Sequence, residues 1–130
     1  MLSKEKLLSL RPKSKPVFIA EWGETVYVRP LTEMERCKFL DLASQFEKAA
    51  PGVRNRKVVH PVIQWAVVDE DGNPFFSDLD EVTKFAETQP SGIFLKLQAE
   101  IFDFSAFSSE AREVVEKNSQ PVPSDSSSSV

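Results

Sequence analysis

The sequence predicts a mainly α (α+β) fold: a helical domain with a small N-terminal β-hairpin and a disordered C-terminal tail. Three observations carry that expectation. Apolar residues recur three and four apart through much of residues 32–107, the period of a helix with one buried face. Ahead of them, Val17-Phe-Ile-Ala20 and Thr25-Val-Tyr-Val28 flank Glu21-Trp-Gly-Glu24, where Gly23 suits a turn that needs positive φ. Behind them, the end of the chain, Ser124-Asp-Ser-Ser-Ser-Ser-Val130, has too little apolar surface to offset the entropy of ordering. A chain of 130 residues is one domain in length and can bury a core without disulfides or metals.

Residues 1–16 read as a short helix and a linker. Ser3 can cap a helix running to Leu10, and Leu7 and Leu8 supply its apolar side. Pro12 and Pro16 then forbid helix through Arg11-Pro-Lys-Ser-Lys-Pro16. The globular domain is expected over 17–117, starting with the hairpin at 17–29. A lone hairpin is marginal in water, so it must pack on helices or pair with another chain. Val26 and Val28 alternate with polar neighbours, as in a half-buried strand. Pro30 ends that strand and holds Arg29 extended. Thr32 and Glu35 then have the spacing of a capping box, which opens a helix expected over about 32–50. Leu31, Phe39, Leu42, Ala43 and Phe46 mark its apolar side, and Pro51-Gly52 is expected to stop it.

Between 55 and 68 the pattern is mixed. Val58, Val59, Val62 and Val67 favour strand, whereas the spacing 59, 63, 66 and 67 favours helix, and Pro61 argues against a central strand. A buried helix is expected. Asp69-Glu-Asp-Gly-Asn-Pro-Phe-Phe-Ser-Asp-Leu-Asp80 has the acidic spacing of a calcium loop. It has Pro74 where that loop needs glycine, and Asp80 where it needs a bidentate Glu. An Asp-Gly turn closing a helix fits better. Further helices are expected at about 78–88, 91–106 and 109–117, with disordered chain over 118–130.

The segment Ile93 to Phe107 is the most apolar in the chain. Phe94, Leu97, Ile101 and Phe104 follow helical spacing, and Ile93, Leu95, Phe102 and Phe107 extend apolar area to other sides. Such a helix is central in a core or forms an interface. The small size of the domain argues that part of it faces a partner. Phe94, Leu97, Ile101, Phe102 and Phe107, with Val26 and Val28 of the hairpin, are therefore the candidate partner or self-association surface.

Catalytic signatures are missing from the sequence. It has no glycine-rich phosphate loop, no His/Cys metal spacing and no Gly-x-Ser-x-Gly elbow, so neither an enzyme nor a cofactor or metal site is expected. His60 is the sole histidine, and with no nucleophile set beside it reads as a core-edge or surface residue. Cys37 is the sole cysteine and reads as a small semi-buried residue in a reducing compartment. No segment approaches a membrane span, and the apolar run at the start is too short for a secretory signal, so the expected location is the cytoplasm. The net charge of −4 argues against nucleic acid, which basic domains prefer. The charge is also unevenly placed. Lys4, Lys6, Arg11, Lys13 and Lys15 are opposed only by Glu5, whereas Asp69, Glu70, Asp71, Asp78, Asp80 and Glu81 have no Lys or Arg between them. These are two solvated surfaces, or complementary ends that dock copies head to tail.

In order and spacing, Val26-Tyr-Val-Arg-Pro-Leu-Thr-Glu-Met-Glu-Arg36, Val67-Val-Asp-Glu-Asp-Gly-Asn-Pro-Phe-Phe76 and Val114-Val-Glu-Lys-Asn-Ser119 resemble tail assembly chaperones of long-tailed, siphovirus-type bacteriophages. The likeness spans roughly residues 15–119. It implies a mostly helical protein without catalytic residues that self-associates into spiral assemblies in the host cytoplasm. It further implies binding of the tape measure protein, recruitment of tail tube protein, absence from the finished virion and, in many members, a frameshifted longer form. Two other readings stay open: a head–tail connector or completion protein, and a small nucleic-acid-binding regulator resting on Arg54, Arg56, Lys57 and the basic start.

Overall fold

The computed structural model describes residues 1–105. Within them the fold is mainly helical with a small antiparallel sheet toward the N-terminus. The helix expected at 109–117, the tail at 118–130 and Phe107 lie outside the described residues.

Helix α1 (Lys4–Ser9) opens as its sequence requires, with the Ser3 hydroxyl accepting from the Lys6 amide at 3.0 Å. None of its residues is buried. Strand β1 (Lys15–Ile19) pairs with β2 (Glu24–Val28), Val17 facing Val26 across the ladder. The turn between them rests on Gly23, at φ 64°, whose amide donates to the Ile19 carbonyl. Pro16, expected in the linker, belongs to β1. That is acceptable because β1 is an edge strand and a proline there removes no essential ladder donor.

The hairpin gains a third strand that the sequence reading did not expect. Val67 and Val68 form β3 and pair antiparallel with Val28 and Tyr27. Arg29 continues this pairing, its amide donating to the Ala66 carbonyl at 2.9 Å. The helix expected through residue 68 therefore ends at Ala66. Of the valines that favoured strand, only Val67 lies in one, beside Val68; Val58, Val59 and Val62 are helical.

Helix α2 (Glu33–Gln45) begins with the full capping box. Thr32 Oγ1 accepts from the Glu35 amide at 3.2 Å, and Glu35 Oε1 accepts from the Thr32 amide at 2.9 Å. Glu35 also takes a bidentate pair of bonds from Arg29, both 2.8 Å long. The helix stops at Gln45, earlier than expected. Pro51 starts the next helix instead of ending this one, as suits a residue with no N–H to leave unsatisfied in a first turn. Cys37 is exposed, not semi-buried, with its thiol 3.6 Å from Glu33 Oε2.

Helix α3 (Pro51–Arg54), a π-helical turn (Asn55–Val59) and α4 (His60–Ala66) form one continuous helical run. Pro61 explains the widened turn. A proline has no N–H for the carbonyl four residues earlier, and its ring collides with that carbonyl in a regular α-helix. Here the preceding amide, of His60, donates instead to Asn55, five residues back. Val58, Val59, Val62, Ile63 and Ala66 all point inward from this run.

The Asp-Gly turn closes β3 rather than a helix. Asp69 Oδ1 accepts from the amides of Asp71 and Asn73, and Gly72 adopts φ 87°. Phe76 then folds inward while Phe75 stays exposed. Helix α5 (Leu79–Thr88) is capped by Asp78, and α6 (Ser91–Phe104) ends at Ser105. Ser105 joins the two halves of the fold: its hydroxyl donates to the Ile101 carbonyl and accepts from the Leu31 amide at 2.9 Å.

Burial alone would raise the Glu35 carboxyl, but the Arg29 guanidinium and the Thr32 amide outweigh it and hold the group below its ordinary 4.5. The stability that Glu35 confers is therefore complete above 4.5 and drains as pH falls from there through the lower folded value. Thermal melts across pH 7 to 3 will show this loss in the native protein and a smaller one in Glu35→Gln, which keeps the capping geometry without the charge.

Candidate interaction surface

The structure places most of the expected surface residues inside the molecule. Leu97 is 1% exposed, Ile101 and Val28 0%, Phe102 3% and Phe94 7%. Val26 is half-buried against the same core. These residues are drawn together, but as the centre of the fold. The expectation of a partner surface is corrected for Phe94, Leu97, Ile101, Phe102 and Val28, whereas Phe107 lies outside the described residues.

The physical reason is the position of α6. It packs against β1 and β2 on one side and α4 on another. Phe102 meets Phe39 of α2 at 5.1 Å between ring centroids, and Phe94 meets Phe85 of α5 at 5.1 Å and His60 of α4 at 5.4 Å. A helix that is apolar on most sides is here surrounded by a sheet and three helices, so nearly all of that area becomes core. What α6 shows to solvent is a narrow strip containing Leu95, Lys96, Ala99 and Asp103. Even this strip is partly tied down. Lys96 Nζ donates to the Phe18 carbonyl at 2.6 Å, and Lys15 pairs with Glu100 at 2.6 Å while lying 5.7 Å from the Phe104 ring.

The exposed apolar residues lie elsewhere. Phe18 is 55% exposed on the outer face of β1, Met34 protrudes from the first turn of α2, and Phe75 and Leu79 flank the start of α5. Leu2, Leu7, Leu8 and Leu10 are exposed on and around α1. The signal for Phe18 was legible: it falls out of phase with Val17 and Ile19 in a strand of period two. The signal for α1 was the two-proline linker, which separates its leucines from the domain.

Of the basic residues at 54–57, Arg54 turns back, its guanidinium donating to the Glu47 carbonyl at 3.1 Å, whereas Arg56 and Lys57 are exposed. Arg54 Nε and Asn55 Oδ1 are buried without a hydrogen-bond partner at the start of the π turn. The acidic residues from Glu70 to Glu81 are exposed, and the ion pairs Lys15–Glu100, Arg29–Glu35 and Arg36–Glu33 involve none of them. A shallow cleft of about 380 Å³ lies between the linker and the acidic loop, lined by Arg11, Pro12, Arg29, Thr32, Asp71 and Asn73 among others. Among the described residues no cluster of His, Cys, Asp or Glu is arranged to hold a metal ion. None of the described helices is long and apolar enough to cross a membrane.

Comparison with protein-family models, with curated proteins and with solved structures finds no match to this chain.

Two measurements check this account of the core. Phe102→Ala should cost about 3–5 kcal/mol, as expected for truncating a buried aromatic, while Leu95→Ala, on the exposed strip, should cost less than about 1 kcal/mol. Chemical denaturation of both variants reads the difference. His60 is buried beside Phe94, and burial, helped by the nearby Arg56 charge, pushes its imidazole below the ordinary 6.5. Because the unfolded chain binds that proton first, the stability it confers is present above 6.5 and is lost as pH falls through the lower folded value. As the sole histidine, His60 gives one resolved imidazole signal in a proton NMR titration, and its midpoint should fall below 6.5.

Proposed function

We propose that this protein is a non-catalytic assembly chaperone of phage tails. It associates with copies of itself, coats the tape measure protein and brings tail tube protein to it in the host cytoplasm, and it leaves before the virion is complete. The observation that carries this reading is the arrangement of the segments that resemble tail assembly chaperones. Residues 26–36 and 67–76 are distant in sequence, yet Tyr27 pairs with Val68 and Val28 with Val67 in one sheet. Two stretches of likeness that meet in space behave as a single structural unit, which separate chance similarities need not do.

A chaperone for a long client works through many weak contacts at high effective concentration, so each copy needs only a modest apolar surface. The buried α6 residues do not supply it. The exposed side chains of Phe18, Met34 and Leu95 are the client surface in this reading, spread over the sheet, α2 and α6.

The client in this reading is a long, mostly helical tape measure protein, and co-expression with it tests the proposal. The soluble yield of that protein should rise several-fold, and the chaperone should be missing from mass spectra of purified particles. A stoichiometric signal in finished particles would overturn the reading in favour of a connector or completion protein.

A further inference from the structure

We propose that α1 and its flanking residues form a donor arm that docks on the acidic segment 69–81, around Phe75 and Leu79, of a second copy of this chain. The inference rests on the self-association contained in the proposed function and assigns the surfaces that carry it.

The arm is an unusual element. Leu7 is 53% exposed, Leu8 72% and Leu10 56%, and no residue of α1 is buried, although the rest of the chain has an extensive core. A six-residue helix is too short to be stable through its own hydrogen bonds, so an isolated one needs a surface to lie on. The arm and its linker are basic: Lys4, Lys6, Arg11 and Lys13 are opposed only by Glu5. Pro12 interrupts the backbone between arm and domain and keeps the connection from continuing as helix.

The acceptor has the complementary character. Phe75 is 58% exposed and Leu79 42%, and Glu70, Asp71, Asp78, Asp80 and Glu81 surround them in sequence with no basic residue between. Leucines can cover the exposed ring and side chain while the lysines meet the carboxylates, a match of both hydrophobicity and charge sign. Within one chain the two surfaces leave each other uncovered. The root of the arm lies beside the acidic turn, where Arg11 and Pro12 line the same cleft as Asp71 and Asn73. The leucines beyond it nevertheless remain exposed, as do Phe75 and Leu79. A second copy satisfies both.

Each copy then has one arm and one acceptor, so the contact is heterologous and propagates from copy to copy into a ring or an open spiral. An arm this short buries much less than a standard interface of about 1,600 Å². Association is therefore weak, dependent on concentration and sensitive to salt.

Sedimentation velocity on the full chain tests the proposal. The native protein should grow in mass with concentration at low salt and shrink as salt is raised. Leu7→Asp combined with Leu8→Asp should weaken association about tenfold or more, with the circular dichroism and melting of the domain unchanged. Phe75→Ser combined with Leu79→Ser should do the same from the acceptor side. Mixing the two variants is the decisive arm: one intact arm and one intact acceptor remain, so the mixture should form 1:1 heterodimers that grow no further. A native protein that stays monomeric to about millimolar concentration, arm variants that assemble like the native protein, or a mixture without heterodimers would each overturn the proposal. An arm folded onto its own acceptor would give the first of these results. Oligomers that survive the arm mutations remove the arm but leave the chaperone reading standing, whereas normal oligomers that fail to solubilise the client do the reverse.

Discussion

The rest of the fold depends on how Arg29 leaves the sheet. Its amide donates to Ala66, which fastens the end of β2 to the end of α4. Its guanidinium grips both oxygens of Glu35 and also donates to the Pro30 carbonyl at 3.0 Å. Glu35 meanwhile completes the capping box of α2. One side chain thus links strand, proline corner and helix start, and the pair is only about one-sixth exposed, at 18% and 17%. An exposed ion pair contributes little, but a bidentate and largely sheltered one fixes an angle. That angle brings Phe39 onto Phe102 and so sets α2 against α6.

Around that corner the core assembles as two aromatic contacts on α6. Phe39 and Phe102 join it to α2 at its C-terminal end. Nearer its N-terminal end, Phe94 sits in a chain of rings running through Phe85 to Phe76, each step near 5 Å, with Trp22 meeting Phe85 edge-on at 5.5 Å. Trp22 also donates to Gln89 Oε1 at 2.9 Å, so the hairpin turn is held to the end of α5 by both ring and hydrogen bond. Phe76, Phe85, Phe94 and Phe102 thus serve internal packing. These rings supply large apolar area with few rotamers to freeze, which suits a core in a chain this small.

What could be read from the sequence was local. Ser3, Gly23, and Thr32 with Glu35 each act within a few residues, and the elements that they begin or break lie close to where they were expected. Pro51 was recognised as a boundary but assigned to the wrong side, since the same residue that ends one helix can begin the next. The two-residue strand at Val67–Val68 was hidden because its evidence is a pairing with residues about forty positions earlier. The surface was misread for a similar reason. Periodicity shows how much of a helix is apolar, but not how many neighbours arrive to cover it, and α6 has them on several sides. The leucines of α1 were visible as an apolar side, and the fold shows that none of its residues is buried.

The widened turn at Asn55–Val59 makes this part of the chain intolerant of changes in length. Each residue of an α-helix turns the backbone by about 100°, so a helix normally accepts a deletion only by rotating everything on one side of it. In this run the rotation would fall between α3, whose residues are at the surface or half-buried, and α4, which is buried along most of its length. Losing one residue would restore the ordinary hydrogen-bond spacing and return the ring of Pro61 to its clash. It would also turn Val58 and Val59 away from the positions that they now share with Val62 and Ile63. A substitution at these positions is a local matter of volume, whereas an insertion or deletion would change the phase of the whole central helix. Among related chains, whatever their divergence in side chains, the count of residues from Pro51 to Ala66 is the quantity expected to stay constant.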